Sequence, residues 1–181
     1  MTDTAKKQTV QRPVAASPEL QRLDVFLGTW RSEGPAFGEG KSNETIRASS
    51  TLMKLEETVE WLPGGFFLSR RWDGVVGENA FRGLEIVGYD DASGSYSSRF
   101  FDDQGNCPVY RVTEHEGAWT YAGDAQRATF KVDEDGAGVD VNWEWLKDGT
   151  DWRPLCALKS VRLQMEGARR PEQTHEMGAG R

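Results

Sequence analysis

In the stretch GVDVNWEWLKDG, residues 138 to 149, Val139, Val141, Trp143 and Trp145 alternate with Asp140, Asn142 and Glu144. A period of two sends the two sets to opposite faces of an extended strand, whereas a helix would scatter both around its circumference. The segment therefore predicts a half-buried strand. Rougher runs of the same kind occupy 43 to 53, 55 to 62, 66 to 73, 80 to 89, 95 to 102, 107 to 114, 118 to 123, 126 to 133 and 152 to 164. Turn signals divide them: Pro63-Gly64-Gly65, DDASG at 90 to 94, DDQGN at 102 to 106, EHEG at 114 to 117, DEDG at 133 to 136 and Asp148-Gly149. Turns this closely spaced leave no room for crossover helices, so the sheet should be antiparallel and meandering. A long meander with one apolar face removes its exposed edges by closing. The prediction is an all-β chain, an antiparallel up-and-down β-barrel of about ten strands, wide enough inside for side chains or a small ligand.

One helix precedes the strands. In SPELQRLDVFLG, Ser17 is placed to cap, Pro18 to open the helix, Glu19 to face its positive end and Gly28 to stop it. Leu20, Leu23, Phe26 and Leu27 share a face, a stripe suited to covering one end of a barrel. The expected organisation is a flexible arm at 1 to 16, a folded body at 17 to 166 and a disordered tail at 167 to 181, since both ends are polar and lack a period.

Charge narrows the partners. Acidic residues outnumber basic ones 29 to 22, a net charge of -7 that repels phosphate backbones and anionic lipid, so neither nucleic acid nor a membrane surface is expected. The amino-terminal segment has no apolar core of the signal type and no run reaches spanning length, which predicts a cytoplasmic protein. Cys107 and Cys156 lack metal or redox spacing and read as free thiols.

A short helix running into Gly28-Thr29-Trp30 at the start of the first strand resembles the signature of lipocalin-like (calycin) barrels. SPELQRLDVFLGTWRSEG, LPGGFFLSRRWDG and VGYDDASGSYSSRFFDDQG together look like a bacterial lipocalin-like family of unknown function, over roughly residues 17 to 165. The resemblance implies that Trp30 packs across the closed end, with Arg162 laid over its ring as a cation–π partner. Both are then structural.

Other apparent motifs fall away. GPAFGEGKS has five residues between Gly34 and Gly40 where a phosphate loop needs four, and NETIRASSTL is expected to continue as strand. GAGVDV lacks the last glycine of a dinucleotide fingerprint, no G-x-S-x-G occurs, and DEDG is too short for a calcium loop. With His115 and His175 the only histidines, no metal site and no cofactor are expected, haem included.

The barrel lining remains. Alternation groups Leu55, Glu57, Val59 and Trp61; Phe66, Leu68, Arg70 and Trp72; Phe81, Glu85, Val87 and Tyr89; and Tyr96, Ser98 and Phe100. Apolar faces interrupted by Glu57, Arg70 and Glu85 describe an aromatic pocket with a few orienting groups. A carboxylate among Trp and Val is desolvated and suited to proton exchange, and Arg70 is a partner for it or for an anionic guest. The same residues as internal salt bridges or outward-facing bulge residues are the structural alternative. Candidate ligand contacts are Glu57, Trp61, Arg70, Trp72, Glu85, Tyr89, Tyr96, Trp143 and Trp145, with no catalytic residue identified. The tryptophans, Trp119 and Trp152 among them, suit core packing first, cavity lining next and a homodimer interface last. Three function classes stay open: a carrier or sensor for a small apolar or aromatic molecule, an enzyme of secondary metabolism of the cyclase or isomerase type using Glu57 or Glu85, and a solidly packed structural or interaction module.

Overall fold

The structure, a computed structural model, describes residues 18 to 38 and 42 to 164. The expected terminal arm and tail, the Ser17 cap and His175 lie outside the described residues. Helix α1 (Pro18–Arg22) tightens into a 3₁₀ turn over Leu23–Phe26. Ten strands follow: β1 (Gly28–Phe37), β2 (Ser50–Trp61), β3 (Phe67–Val76), β4 (Asn79–Asp90), β5 (Ser95–Asp102), β6 (Val109–His115), β7 (Ala118–Ala122), β8 (Gln126–Val132), β9 (Gly138–Lys147) and β10 (Asp151–Gln164). Each pairs antiparallel with its neighbours in sequence, and β1 pairs with β10 to close the barrel.

One expectation is corrected. Residues 43 to 53 and 55 to 62 are not two strands: helix α2 (Asn43–Ala48) precedes the single strand β2. A capping box decides it. Ser42 Oγ accepts from the Thr45 amide at 3.3 Å, and Thr45 Oγ1 accepts from the Ser42 amide at 3.0 Å, while Ile46 turns inward. The phosphate-loop reading still fails on glycine spacing.

The inward stripes form one core. At the end where β1 begins, Leu20, Leu23 and Phe26 of the helical segment are buried against the barrel, and Phe26 meets Trp119 edge to face at 5.2 Å. Trp61 Nε1 donates to Asp24 Oδ1 at 2.8 Å, and the Tyr96 hydroxyl donates to the Glu19 carbonyl at 2.7 Å, so two strands tether the cover. Gly28 carries the chain from the 3₁₀ turn into β1 with φ of 115°, a conformation that disfavours any side chain.

The same end holds the seam. Trp30 and Arg162 are Cα partners across β1 and β10, where the ladder shifts register beside Thr29. The Arg162 guanidinium lies 4.3 Å from the centre of the Trp30 ring and donates to the carbonyls of Val25 at 2.6 Å, Leu27 at 2.7 Å and Gly136 at 2.8 Å. One side chain thus joins the helical cover, the seam and the β8–β9 turn. No helix among the described residues is long and apolar enough to cross a membrane.

Candidate functional site

The other half of the barrel is hollow. A cavity of about 530 Å³ is lined by aromatic walls that include Trp72, Phe81, Phe100, Phe130 and Trp143, and by the polar side chains of Ser32, Ser160, Glu57 and Arg70. Asp102, Asp103 and Gln104, where β5 runs into its loop, line it too.

Glycines shape one wall. Trp72 and Gly83 are Cα partners across β3 and β4, and a Cβ on Gly83 would stand 2.3 Å from Trp72 Cζ2 and 2.7 Å from the Phe101 carbonyl oxygen. The indole therefore lies flat over bare backbone. Phe81 covers Gly74 in the same way, where a Cβ would stand 2.7 Å from Phe81 Cζ. Aromatic cover of a cross-strand glycine keeps the sheet paired while leaving the interior open.

The polar groups are neighbours on adjacent strands, since Arg70 pairs in register with Val59 and Glu85, and Glu57 with Trp72. Arg70 stands between two carboxylates. Its Nε is 3.1 Å from Glu85 Oε2, off the line of a good hydrogen bond and so an ion pair, and its Nη1 is 3.8 Å from Glu57 Oε1. Its Nη2 donates to the Tyr121 hydroxyl at 3.5 Å, and its charged plane lies 4.9 Å from the centre of the Phe130 ring. Glu85 is wholly buried and accepts from Ser98 Oγ at 2.6 Å. Glu57 accepts from Ser32 Oγ at 2.9 Å, and Ser32 in turn meets Ser160 Oγ at 2.6 Å. Burial acts to lower the Arg70 guanidinium, but Glu85, Tyr121 and Glu57 outweigh it and hold it above its ordinary value. Burial, reinforced by Glu85, raises the Tyr121 hydroxyl, which stays neutral. The Cys156 thiol, also on the cavity wall, is pushed up to about 12 by burial and is a poor nucleophile.

Of the residues singled out from sequence, Glu57, Arg70, Trp72 and Trp143 line this cavity, with Glu85 sealed directly behind Arg70. Trp61, Tyr89 and Tyr96 do not line it. They belong to the covered end, where Tyr89 and Tyr96 pack edge to face at 4.9 Å and Tyr96 rests on Trp119. Alternation gave their face correctly but not their level along twelve-residue strands. Trp145 is also off the wall, whereas Leu155, at the β10 register shift between Pro154 and Cys156, lines it. Trp152 carries Arg127 over its ring at 4.3 Å. His115, at the end of β6, is exposed. Sequence reasoning missed Ser32, Ser160 and Tyr121; Ser32 shares the face of Trp30 two residues on, and Ser160 that of Arg162, which was the available signal.

Comparison with known proteins adds a family and a fold. The family model described as Protein of unknown function (DUF1579) matches residues 15–161. Among solved structures, the crystal structure of Rv2717c from M. tuberculosis is similar, with 13% identity and a TM-score of 0.57 over 83% of this chain and 100% of that one. At that identity the likeness speaks for the barrel alone. No curated protein matches.

Proposed function

The chain belongs to the DUF1579 family, proteins of unknown function, and from the hollow in its barrel we propose that it is a lipocalin-like container for a small apolar or aromatic molecule, acting as a carrier or sensor in the cytoplasm. The carrying observation is the cavity of about 530 Å³, whose aromatic walls surround a few converging polar groups at Ser32, Glu57 and Arg70. That volume suits a small organic guest, and the combination is what ligand pockets share. A solidly packed module would have no such space. The net charge of -7 supports a small molecule over nucleic acid as the partner.

The test is a panel of naphthalene and indole derivatives titrated against tryptophan emission, with native mass spectrometry of gently purified protein to catch a co-purified guest. Trp72 and Trp143 stand in the wall, so filling the cavity gives a saturable change at one-to-one stoichiometry. Replacing Trp143 by Ala should weaken it at least about tenfold. Unsaturable changes across the panel, with no co-purified guest, would exclude the container.

An enzyme of the cyclase or isomerase type is the second reading, and one observation favours it: Glu57 lines the cavity beside the Ser32–Ser160 pair, where a carboxylate reaches a bound substrate. Glu85, behind Arg70, does not line it. Under this reading Glu57→Gln abolishes turnover, whereas a carrier keeps its affinity for neutral guests within a few fold.

A further inference from the structure

We propose that the preferred guest carries a cationic, hydrogen-bond-donating head, an apolar or aromatic amine in its ammonium form, seated against Glu57. This rests on the container reading and names its ligand class.

Among the described residues that line the cavity Arg70 is the one basic side chain, and its cation is already matched. Each guanidinium nitrogen faces an internal oxygen: Nε that of Glu85, Nη1 that of Glu57, Nη2 that of Tyr121. Phe130 covers its plane. A carboxylate guest seeking the usual two parallel N–H bonds would have to displace Glu57 or Tyr121 and leave a buried group without its partner.

The hydroxyl hydrogens at the floor are committed in the same direction. Ser32 donates to Glu57, so the short Ser32–Ser160 contact draws its hydrogen from Ser160; Ser98 donates to Glu85. Tyr121, which accepts from Arg70, does not line the cavity. Acceptor capacity remains. A carboxylate offers about four acceptor positions, and Glu57 uses one for Ser32 and a long 3.8 Å contact for Arg70. What the floor presents to a guest is therefore unspent oxygen lone pairs.

The charge distribution agrees. Glu57, Asp102 and Asp103 line the cavity against Arg70, and Glu85 stands behind it. Asp102 is kept ionised by the Gln104 and Asn106 amides and the Asn106 side chain, at 3.0, 2.8 and 2.7 Å. A low-dielectric cleft lined by one sign of charge concentrates the opposite one. Trp72, Phe100 and Trp143 line the cavity with aromatic rings, whose faces favour a cation and penalise an anion.

Three probes sharing one ring system test this: 1-naphthylmethylamine, 1-naphthalenemethanol and 1-naphthoate, titrated by calorimetry near pH 7 at about 0.1 M and about 0.5 M salt. The ammonium should bind at least about tenfold tighter than the alcohol, and the carboxylate weakest. The preference should survive the higher salt, which screens surface charge but not a buried contact. Glu57→Gln should remove the preference, so that the variant binds the amine and the alcohol alike. Equal binding of all three, or tighter binding of the carboxylate, overturns the inference and leaves the container standing. An amine preference lost at high salt, or unchanged in Glu57→Gln, overturns it too. Binding of none of the three overturns both. The comparison on the unaltered protein decides the sign even if the variant fails to fold.

Discussion

Removing Arg70 tests how the barrel interior holds its charges. In Arg70→Met the side-chain volume is roughly kept, but Glu85, wholly buried, loses the cation 3.1 Å away and retains Ser98 as its nearest donor. Breaking a buried ion pair from one side costs about 3–5 kcal/mol, mostly from the carboxylate left behind. Against a typical stability of roughly 5–15 kcal/mol that is a large fraction, about 10 °C in melting temperature for a chain this long. Glu57 adds little to the loss because it lines the cavity and water can reach it. The double variant Arg70→Met/Glu85→Leu removes the stranded charge, leaving the buried Ser98 and Tyr121 hydroxyls without their partners at about 1 kcal/mol each. The double variant should therefore be more stable than the single, with a coupling of at least about 2 kcal/mol. Urea unfolding followed by tryptophan emission measures all of these variants. Arg70→Met within about 1 kcal/mol of the parent, or additive single and double effects, would show that the pair is not the closed electrostatic unit described.

Other outcomes follow from the same geometry. Gly83→Ala, whose Cβ would meet Trp72 at 2.3 Å, should tilt the indole from the wall, cost about 1–3 kcal/mol and weaken guest binding about tenfold; unchanged affinity would mean that Trp72 does not shape the cavity. Near pH 8 a disulfide reagent should titrate Cys107, which is exposed, and spare Cys156 until the chain unfolds; two fast thiols would contradict the buried wall position. Stability should decline with alkali. Burial holds Cys156 and Tyr110 up to about 12, so the folded chain keeps protons that the unfolded one releases from about pH 9 upward, and the urea midpoint should fall between about pH 9 and 12. A flat midpoint over that window would place these groups in water.

Much of the barrel was legible because a strand's period of two survives any neighbour. The stripe from Val139 to Trp143 gave its face at once, and the turn clusters gave the hairpins. Residues 43 to 53 were misread because Ile46 and the following polar run fit both periods, and the deciding signal was the short Ser42–Thr45 cap. The site was only half legible. Glu57, Arg70 and Glu85 stand out as charges in apolar stripes, yet their sequence spacing does not say that they meet, because register, not period, makes Arg70 face Glu85. Nor does alternation say how deep a residue lies: Tyr96 and Phe100 share a stripe, but one supports the helical cover and the other the cavity wall.

The seam between β1 and β10 bears on the route by which the chain folds. All other strand pairs join sequence neighbours and can zip from their turns, whereas this one brings together Trp30 and Arg162 across nearly the whole folded length. Closing so long a loop carries its entropy cost before any contact repays it. Seam contacts should therefore form after the rate-limiting barrier, with φ-values near zero for Arg162. Losing its carbonyl bonds to Val25, Leu27 and Gly136 would then quicken unfolding and leave the refolding rate almost untouched, which makes this one arginine a setting for the lifetime of the native barrel.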